Sequence, residues 1–181
     1  MSEGKLITPD KITSGTIWID CREPPQFAEK ISELVTVPIQ IAMLSTGDFA
    51  SGDSAVERKT INDFCQSIIG KDGAERGRIF SQSERLQQEF KHRYIFVTGT
   101  FEECTSFLHP HVILGALARL LVSDIQVVFG LSNEDDFVYL VLKVFEKQGH
   151  IKMLPTKPKP KPKKVVEEPT PVNTEIESVF F

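Results

Sequence analysis

Cysteine is scarce in this chain of 181 residues, which contains Cys21, Cys65 and Cys104. Their number is odd, their spacings are wide, and no CxxC pair occurs. Disulfide frameworks are read from an even set of cysteines, and structural zinc sites use closely spaced pairs of ligands. The cysteine pattern therefore argues against a disulfide-stabilised secreted domain and against a structural zinc domain.

Long hydrophobic runs and an excess of positive charge are also missing. The N-terminal segment lacks the apolar core of a signal peptide, and the most apolar stretch, residues 112–122, is interrupted by Arg119 and too short to cross a bilayer. Lys and Arg number 21 against 25 Asp and Glu, so the net charge is −4. This balance argues against binding nucleic acid through bulk charge but leaves room for a local basic site. We expect a protein of the cytoplasm or nucleoid, nuclear in a eukaryote, with no membrane partner.

Proline is concentrated at the C-terminal end of the chain. Six of the 11 prolines lie in residues 155–181, and residues 157–164 alternate Lys with Pro. Such a run cannot form the interior of a helix or a ladder of hydrogen bonds and favours an extended spacer. We therefore expect one globular domain over residues 1–154 and a disordered Lys/Pro-rich linker over 155–181, whose five lysines either keep the spacer hydrated or contact phosphates.

Strand and helix patterns alternate through residues 1–154. Predicted strands cover residues 16–20, 35–44, 55–59, 94–98 and 125–129, and residues 47–52 are predicted to form a turn. Helices are predicted from Pro24 to about 34, 60–69, 75–93, 110–121 and 132–147. Pro38 makes the second strand an edge or bulged strand. The pattern predicts an α/β domain whose central sheet is mixed and largely parallel, with helices on its faces.

Three carboxylates, Asp20, Asp48 and Glu57, lie at or beside predicted strand ends. Lys59 follows Glu57 by two residues, so both side chains point to the same face of their strand. Carboxylate oxygens are the ligands that Mg²⁺ prefers, a bound metal activates water for attack on phosphorus, and an ammonium group stabilises developing negative charge. A carboxylate followed by Glu-x-Lys on one strand is the skeleton of the restriction-endonuclease-like core.

The motifs around these residues follow one another in a specific order. They are Asp20-Cys-Arg-Glu23, Gly47-Asp48, Glu57-Arg-Lys59 with Asp63 four residues later, and Gly77-Arg78 followed by Gln82. Over roughly residues 16–149 the chain resembles the nuclease domain of the XPF/Hef family of structure-specific endonucleases. The resemblance implies a three-layer, restriction-endonuclease-like fold.

The resemblance also assigns roles, residue by residue. It implies that Asp48 and Glu57 bind Mg²⁺, or Mn²⁺ in its place, with Asp20 as a further metal ligand in the same acidic cluster and the backbone carbonyl of Val56 completing the ligand set. Lys59 corresponds to the catalytic lysine. The remaining matched positions, which support the site or contact DNA, are Arg58, Asp63, Arg22, Glu23, Arg78 and Gln82.

The implied activity is Mg²⁺-dependent hydrolysis of phosphodiester bonds in branched DNA, such as 3′ flaps and nicked or fork-like junctions, during repair or replication. The family usually adds a tandem helix-hairpin-helix module, and no such sequence follows Gly149 here. Affinity would then come from a homodimer of the nuclease domain or from a partner. The apolar stripe Phe137, Leu140, Val141 and Val144 is expected in the core, with part of it available to a dimer. The alternative is a non-catalytic DNA-binding adaptor with the same fold.

The last eight residues, Thr174 to Phe181, resemble the C-terminal motif with which proteins bind the sliding clamp. Phe180 and Phe181 match its aromatic pair, whereas Thr174 replaces its glutamine and Ile176 stands one residue before its apolar position. Two phenylalanines at the end of a flexible linker call for a partner that buries them. We expect that partner to be the sliding clamp, with docking onto the chain's own domain as the alternative.

Overall fold

A computed structural model describes residues 6–69, 77–105 and 108–155. Its strands are β1 (Ile17–Asp20), β2 (Ile39–Ala42), β3 (Phe49–Ser51), β4 (Ser54–Thr60), β5 (His92–Thr98) and β6 (Gln126–Leu131). Its α-helices are α1 (Gln26–Ser32), α2 (Ile61–Ile68), α3 (Arg78–Glu89), α4 (Pro110–Val122) and α5 (Glu134–Lys147), with short 3₁₀ helices at Pro9–Lys11 and Phe101–Glu103. The predicted linker and the clamp-binding residues Ile176, Phe180 and Phe181 lie outside the described residues.

The six strands form one mixed sheet in the order β2-β1-β3-β4-β5-β6. The pairs β1–β2, β4–β5 and β5–β6 are parallel, and the short strand β3 runs antiparallel to both β1 and β4. Helices cover both faces, which gives the predicted three-layer architecture. No helix in the described part of the chain has the length and apolar character that a membrane crossing requires.

Each face of the sheet has its own hydrophobic core. Helices α1 and α5 cover one face, where Phe27, Phe49, Phe96 and Phe137 pack with rings 5.3–6.2 Å apart in edge-on or tilted contacts. Helices α2, α3 and α4 cover the other face around Phe64 and its neighbours. Because side chains alternate along a strand, adjacent residues of β4 face different cores.

Local capping explains where several helices begin. The Thr60 hydroxyl accepts the Asp63 backbone N–H at 3.1 Å, so α2 begins where β4 ends, and an N-cap of this kind is worth about 1 kcal/mol. Asn133 caps α5 in the same way, one residue after the predicted Ser132. Pro110 occupies the first turn of α4, where its missing N–H costs nothing.

Three local predictions are wrong in their extent. Residues 47–52 contain strand β3 as well as a turn, because Phe49 and Ala50 pair with both β1 and β4. The predicted strand 35–44 contracts to β2, which is the edge strand that Pro38 indicated. Helix α3 ends at Glu89, before residues 92–93 join β5.

The apolar stripe on α5 belongs to the core, as expected. Phe137 and Val141 are fully buried, and Leu140 and Val144 pack against the same cluster while remaining partly exposed. The stripe is thus covered by the chain's own sheet and by α1, and the described structure leaves little of it for a second subunit.

Candidate active site

The backbone places the three predicted carboxylates on or beside neighbouring strands. The N–H of Asp20, at the end of β1, donates to the carbonyl of Asp48 at 2.8 Å, and the N–H of Asp48 donates to the carbonyl of Val56 at 2.9 Å. Gly47 adopts φ +77°, a conformation that other residues rarely adopt, and so turns the chain into this position. The Gly-Asp turn thus carries Asp48 to the strand that bears Glu57.

Asp48 lies in an electrostatically unfavourable environment. One of its carboxylate oxygens accepts the backbone N–H of Arg58 at 2.7 Å. Burial raises the pKa of Asp48 well above its ordinary value, and the negative charges of Glu57 and Glu23 raise it further, against the opposing effects of the Arg58 N–H and of Lys59. An added cation would relieve this accumulation of negative charge.

Glu57 and Lys59 point to the same face of β4, as their spacing predicts. Both side chains are almost entirely buried, and the Lys59 ammonium lies 3.2 Å from Oε1 of Glu57. The same Glu57 oxygen accepts the side-chain amide of Gln82, on α3, at 2.5 Å. Gln82 therefore contacts a predicted metal ligand directly, and its own Oε1 is buried without a hydrogen-bond partner.

Helix α3 is held against the site by a close backbone contact. Gly77 precedes the helix, and a Cβ atom there would lie 2.1 Å from the carbonyl oxygen of Ile68 and 2.4 Å from that of Ser67. Only glycine permits this approach, because the obstructing atoms are backbone. The contact sets where α3 starts and hence where Gln82, in the next turn of the helix, meets Glu57.

Asp20 is completely buried and fully engaged by the protein. It forms a two-point pair with the Arg22 guanidinium at 2.6 and 2.9 Å, and it also accepts the backbone N–H groups of Arg22 and Leu44. Burial alone would raise the pKa of Asp20, but these hydrogen bonds outweigh it and lower the pKa. Asp20 thus fixes the strand ends and has fewer free oxygen positions for a metal than Asp48 or Glu57.

Arg58 lies on the opposite face of β4, as predicted from strand alternation. Its Nε donates to Glu23 at 2.6 Å, and its guanidinium stacks over the Phe27 ring with 5.3 Å to the centroid. The Arg58 side chain therefore forms an ion pair with Glu23 on this face of β4, and the Arg58 backbone N–H binds the Asp48 carboxylate.

Two of the predicted residues lie at the margin of the site. The exposed Asp63 carboxylate accepts the Thr60 hydroxyl at 2.8 Å, which makes it part of the cap of α2. Arg78 is exposed at the first position of α3, four residues before Gln82 and so on the same side of the helix.

The donor set fits Mg²⁺ with water completing its shell. Among the described residues, no group of three or more His, Cys, Asp and Glu side chains is arranged as a ready-made metal site. Asp48 and Glu57 nevertheless offer two carboxylates, and the Val56 carbonyl beside them accepts the Asp48 N–H with one lone pair and has a second lone pair for a cation. Mg²⁺ commonly binds proteins through one or two carboxylates and retains several waters. The unpartnered Gln82 Oε1 is an acceptor for such a water.

A family model described as the ERCC4 domain matches residues 19–143. The chain belongs to the ERCC4 domain family. The match runs from the end of β1 through most of α5 and includes Asp20, Asp48, Glu57 and Lys59. The resemblance to the XPF family that the motifs indicated is thereby confirmed.

Individual proteins are also similar to this chain in sequence or in structure. A protein of Methanocaldococcus jannaschii named "Putative ATP-dependent RNA helicase MJ1505" is 32% identical over 112 residues, which are 61% of this chain and 13% of that protein. The chain therefore spans a small part of that relative. XPF from Aeropyrum pernix has the same fold, with a TM-score of 0.56 and 24% identity over 74% of this chain and 64% of that one. A second structure of it, in complex with DNA, matches equally with coverage of 75% and 64%.

Sequence patterns did not reveal every residue that builds the ERCC4 site. Leu44 acts through its backbone N–H, which no side-chain pattern reports. Phe27 looks like an ordinary core residue of α1, and its stacking on Arg58 depends on the packing of two separate elements. The contact between Gln82 and Glu57 joins residues 25 positions apart, so the spacing alone could not show it.

The raised pKa of Asp48 predicts an unusual pH dependence of stability. In the unfolded chain Asp48 ionises near its ordinary pKa of 3.8, whereas the folded state holds the proton to higher pH. Folding therefore loses stability as the pH rises above 3.8 toward the folded-state pKa. Asp48→Asn should raise Tm by a few degrees at pH 7 without divalent cations, and the gain should vanish below pH 3.8.

Asp20→Asn is the matched control, because the pKa of Asp20 is lowered. Ionised Asp20 contributes stability that is present above pH 3.8 and is lost as the pH falls through the folded-state pKa. This substitution should lower Tm at pH 7. Thermal unfolding of both variants across pH 3–8 gives the comparison, and a lower Tm for Asp48→Asn at pH 7 would contradict the electrostatic description of the site.

Proposed function

We propose that this ERCC4 domain protein is a Mg²⁺-dependent, structure-specific DNA endonuclease. The observation that carries the proposal is the burial of Glu57 and Lys59 side by side, next to an Asp48 whose environment disfavours its own negative charge. Burying such groups is unfavourable, and perturbed titratable groups of this kind are concentrated at catalytic sites. A domain that served only as an adaptor would have no physical need for them.

Asp48, Glu57 and the Val56 carbonyl are the groups that would hold the metal, with Asp20 fixing the strand ends behind them. When bound, Mg²⁺ supplies Lewis-acid polarisation of the phosphoryl oxygen and lowers the pKa of water. The Arg58 N–H keeps one Asp48 oxygen occupied and so orients the carboxylate. The Gln82 amide and the Lys59 ammonium both contact the same Glu57 oxygen, which leaves the other Glu57 oxygen for a ligand.

Lys59 is the group that stabilises negative charge. Its ammonium is held at Glu57 in a buried environment, where an electrostatic interaction is stronger than in water. From this position it orients an attacking water or stabilises charge that develops on the phosphate. The exposed Arg78 guanidinium, on the outer end of α3, binds a neighbouring phosphate of the DNA strand.

Branched DNA is the proposed substrate, including 3′ flaps and nicked or fork-like junctions in repair or replication. The support is the ERCC4 family membership together with the solved XPF structure that is described as a complex with DNA. The net charge of −4 favours a local contact with phosphates at Arg78 over capture of DNA by the whole surface. A bend or break in the duplex would supply the selectivity that this small contact area lacks.

Cleavage should depend on Asp48 and on the Lys59 ammonium. Asp48→Asn removes a metal-binding charge, and Lys59→Met removes the ammonium while keeping the length of the side chain. Each should reduce the cleavage rate at least about 100-fold, since such groups act on charge in the transition state. The measurement is single-turnover cleavage of labelled flap, fork and linear duplexes in Mg²⁺, with the sliding clamp present and absent.

Asp10→Asn and Lys147→Met are the matched controls, because both residues are exposed and remote in sequence from the site. Both controls should cleave at the rate of the unmodified protein, and circular dichroism confirms that all four variants fold. A Mn²⁺ or Mg²⁺ titration followed by Tm distinguishes the adaptor alternative. Asp48-dependent stabilisation by the cation is expected of a nuclease, and its absence together with a lack of cleavage would refute the proposed activity.

We propose further that the domain forms a homodimer through α4. Leu114, Leu121 and Val122 are 59%, 62% and 90% exposed, and the small residues Gly115 and Ala118 lie between them on the same helix. Small residues between large apolar ones allow a second helix to approach closely. Helix α4 packs beside β6, which is the edge strand of the sheet. A second copy of this surface would cover apolar area that the described part of the chain leaves in water.

Leu121→Glu should convert the dimer into a monomer, because two glutamates would be buried in a symmetric apolar interface. Sedimentation equilibrium measures the mass at several protein concentrations. Lys147→Glu, a change of exposed charge on α5, is the control and should leave the mass of the dimer unchanged. A protein that is already monomeric at micromolar concentration would refute the α4 interface without affecting the assignment of the catalytic residues.

The C-terminal tail is proposed to bind the sliding clamp through Ile176, Phe180 and Phe181. Replacing Phe180 and Phe181 by Ala should weaken binding to a purified clamp at least about tenfold, since buried aromatic residues dominate such interfaces. Thr174→Gln, which restores the glutamine of the clamp-binding pattern, should strengthen it. Isothermal titration with the full chain and with a version ending at Leu154 tests both, and equal affinity of these two chains for the clamp would exclude the tail as the binding element.

A further inference from the structure

Two of the three free cysteines face each other between α2 and the segment that precedes α4. The sulfur of Cys65, on α2, lies 3.3 Å from the sulfur of Cys104, which ends the 3₁₀ helix Phe101–Glu103. Cys65 is fully buried, whereas Cys104 is partly exposed. The third cysteine, Cys21, is exposed and directly follows β1. The fold thus brings together two thiols that are 39 residues apart in sequence.

The two thiols differ in how readily they meet an oxidant. Burial raises the pKa of Cys65 above its ordinary value, and the neighbouring Cys104 raises it further, so Cys65 stays protonated near neutral pH. The partial exposure of Cys104 makes it the sulfur that a small molecule reaches from solvent. A reachable thiol next to a buried one is the arrangement in which an oxidised first sulfur is captured by the second.

We propose that Cys65 and Cys104 form a reversible disulfide when the protein meets a hydroperoxide. Cys104 attacks the peroxide, the O–O bond breaks, and the products are Cys104 sulfenic acid and water. The Cys65 sulfur then displaces the sulfenic oxygen, which leaves as a second water after taking up the Cys65 proton. Two thiols lose two electrons and two protons, hydrogen peroxide becomes two waters, and a dithiol reductant reverses the change.

The surrounding contacts already hold the two sulfur-bearing segments together. Asn62, one turn before Cys65 on α2, donates its side-chain amide to the Glu103 carbonyl and accepts both the backbone N–H and the hydroxyl of Thr105. Both cysteines therefore belong to segments with fixed partners, and the sulfurs need to approach by only slightly more than 1 Å to reach bonding distance. The disulfide would add a covalent bond to these hydrogen bonds, between the helix that follows the site strand β4 and the segment before α4.

The test uses Cys21→Ser protein, so that Cys65 and Cys104 are the remaining thiols. After treatment with hydrogen peroxide, both thiols should disappear from a titration in denaturant, and peptide mapping should show one intramolecular link between them. Dithiothreitol should restore both. The oxidised protein should have a Tm higher by roughly 5 °C or more, because the bond restricts the unfolded chain.

Two variants separate the steps of this reaction. In Cys104→Ser the buried Cys65 thiol should survive the same peroxide treatment, and in Cys65→Ala the Cys104 sulfenic acid should persist and react with dimedone. Should Cys65→Ala fail to fold, the proposal is tested by comparing the loss of thiols after peroxide treatment in the Cys21→Ser protein and in its Cys104→Ser variant. The proposal is overturned if both thiols remain free after peroxide, if Cys104 proceeds to sulfinic acid beside a reduced Cys65, or if only links between molecules form.

Discussion

The burial of several carboxylates at the junction of β1, β3 and β4 is the constraint on which the rest of the structure depends. Asp48 is close enough to Glu57 and Glu23 for their charges to oppose its ionisation, and burial opposes it further. Such an arrangement costs folding stability and persists only where the surrounding backbone over-determines it. Here the hydrogen bonds from the Asp20 and Asp48 backbone N–H groups to the carbonyls of Asp48 and Val56 fix the strand ends independently of the charges.

The positively charged residues of the motifs divide into two kinds. Arg22 and Arg58 neutralise Asp20 and Glu23, so they stabilise the scaffold behind the site. Lys59 alone among these cations lies buried against Glu57, where it remains close to the carboxylates that we propose as metal ligands. This division explains how a cluster of like charges is supported while two of its members keep oxygens for a cation.

The proposed functions occupy separate parts of the domain. The proposed catalytic residues lie at the end of β1, just before β3, on β4 and on α3, the proposed dimer surface is α4, and the thiol pair lies between α2 and the segment before α4. Thr60 is both the last residue of β4 and the N-cap of α2. The helix that carries Cys65 is therefore connected directly to the strand that carries Glu57 and Lys59.

The sequence alone determined the family, through its ordered motifs, and the three-layer fold that the family implies. It also determined that Glu57 and Lys59 share one face of a strand, because strand alternation is a local property. It also placed Arg58 on the opposite face and Thr60 as the cap of α2. Tertiary structure alone decided that the backbone N–H of Leu44 reaches the Asp20 carboxylate, that Gln82 contacts Glu57, and that Cys65 meets Cys104. These contacts join residues from separate elements, or use backbone groups that carry no side-chain signal, and they depend on how helices pack on the sheet. The short strand β3 was missed for the same reason, since three residues form a strand there only because β1 and β4 flank them.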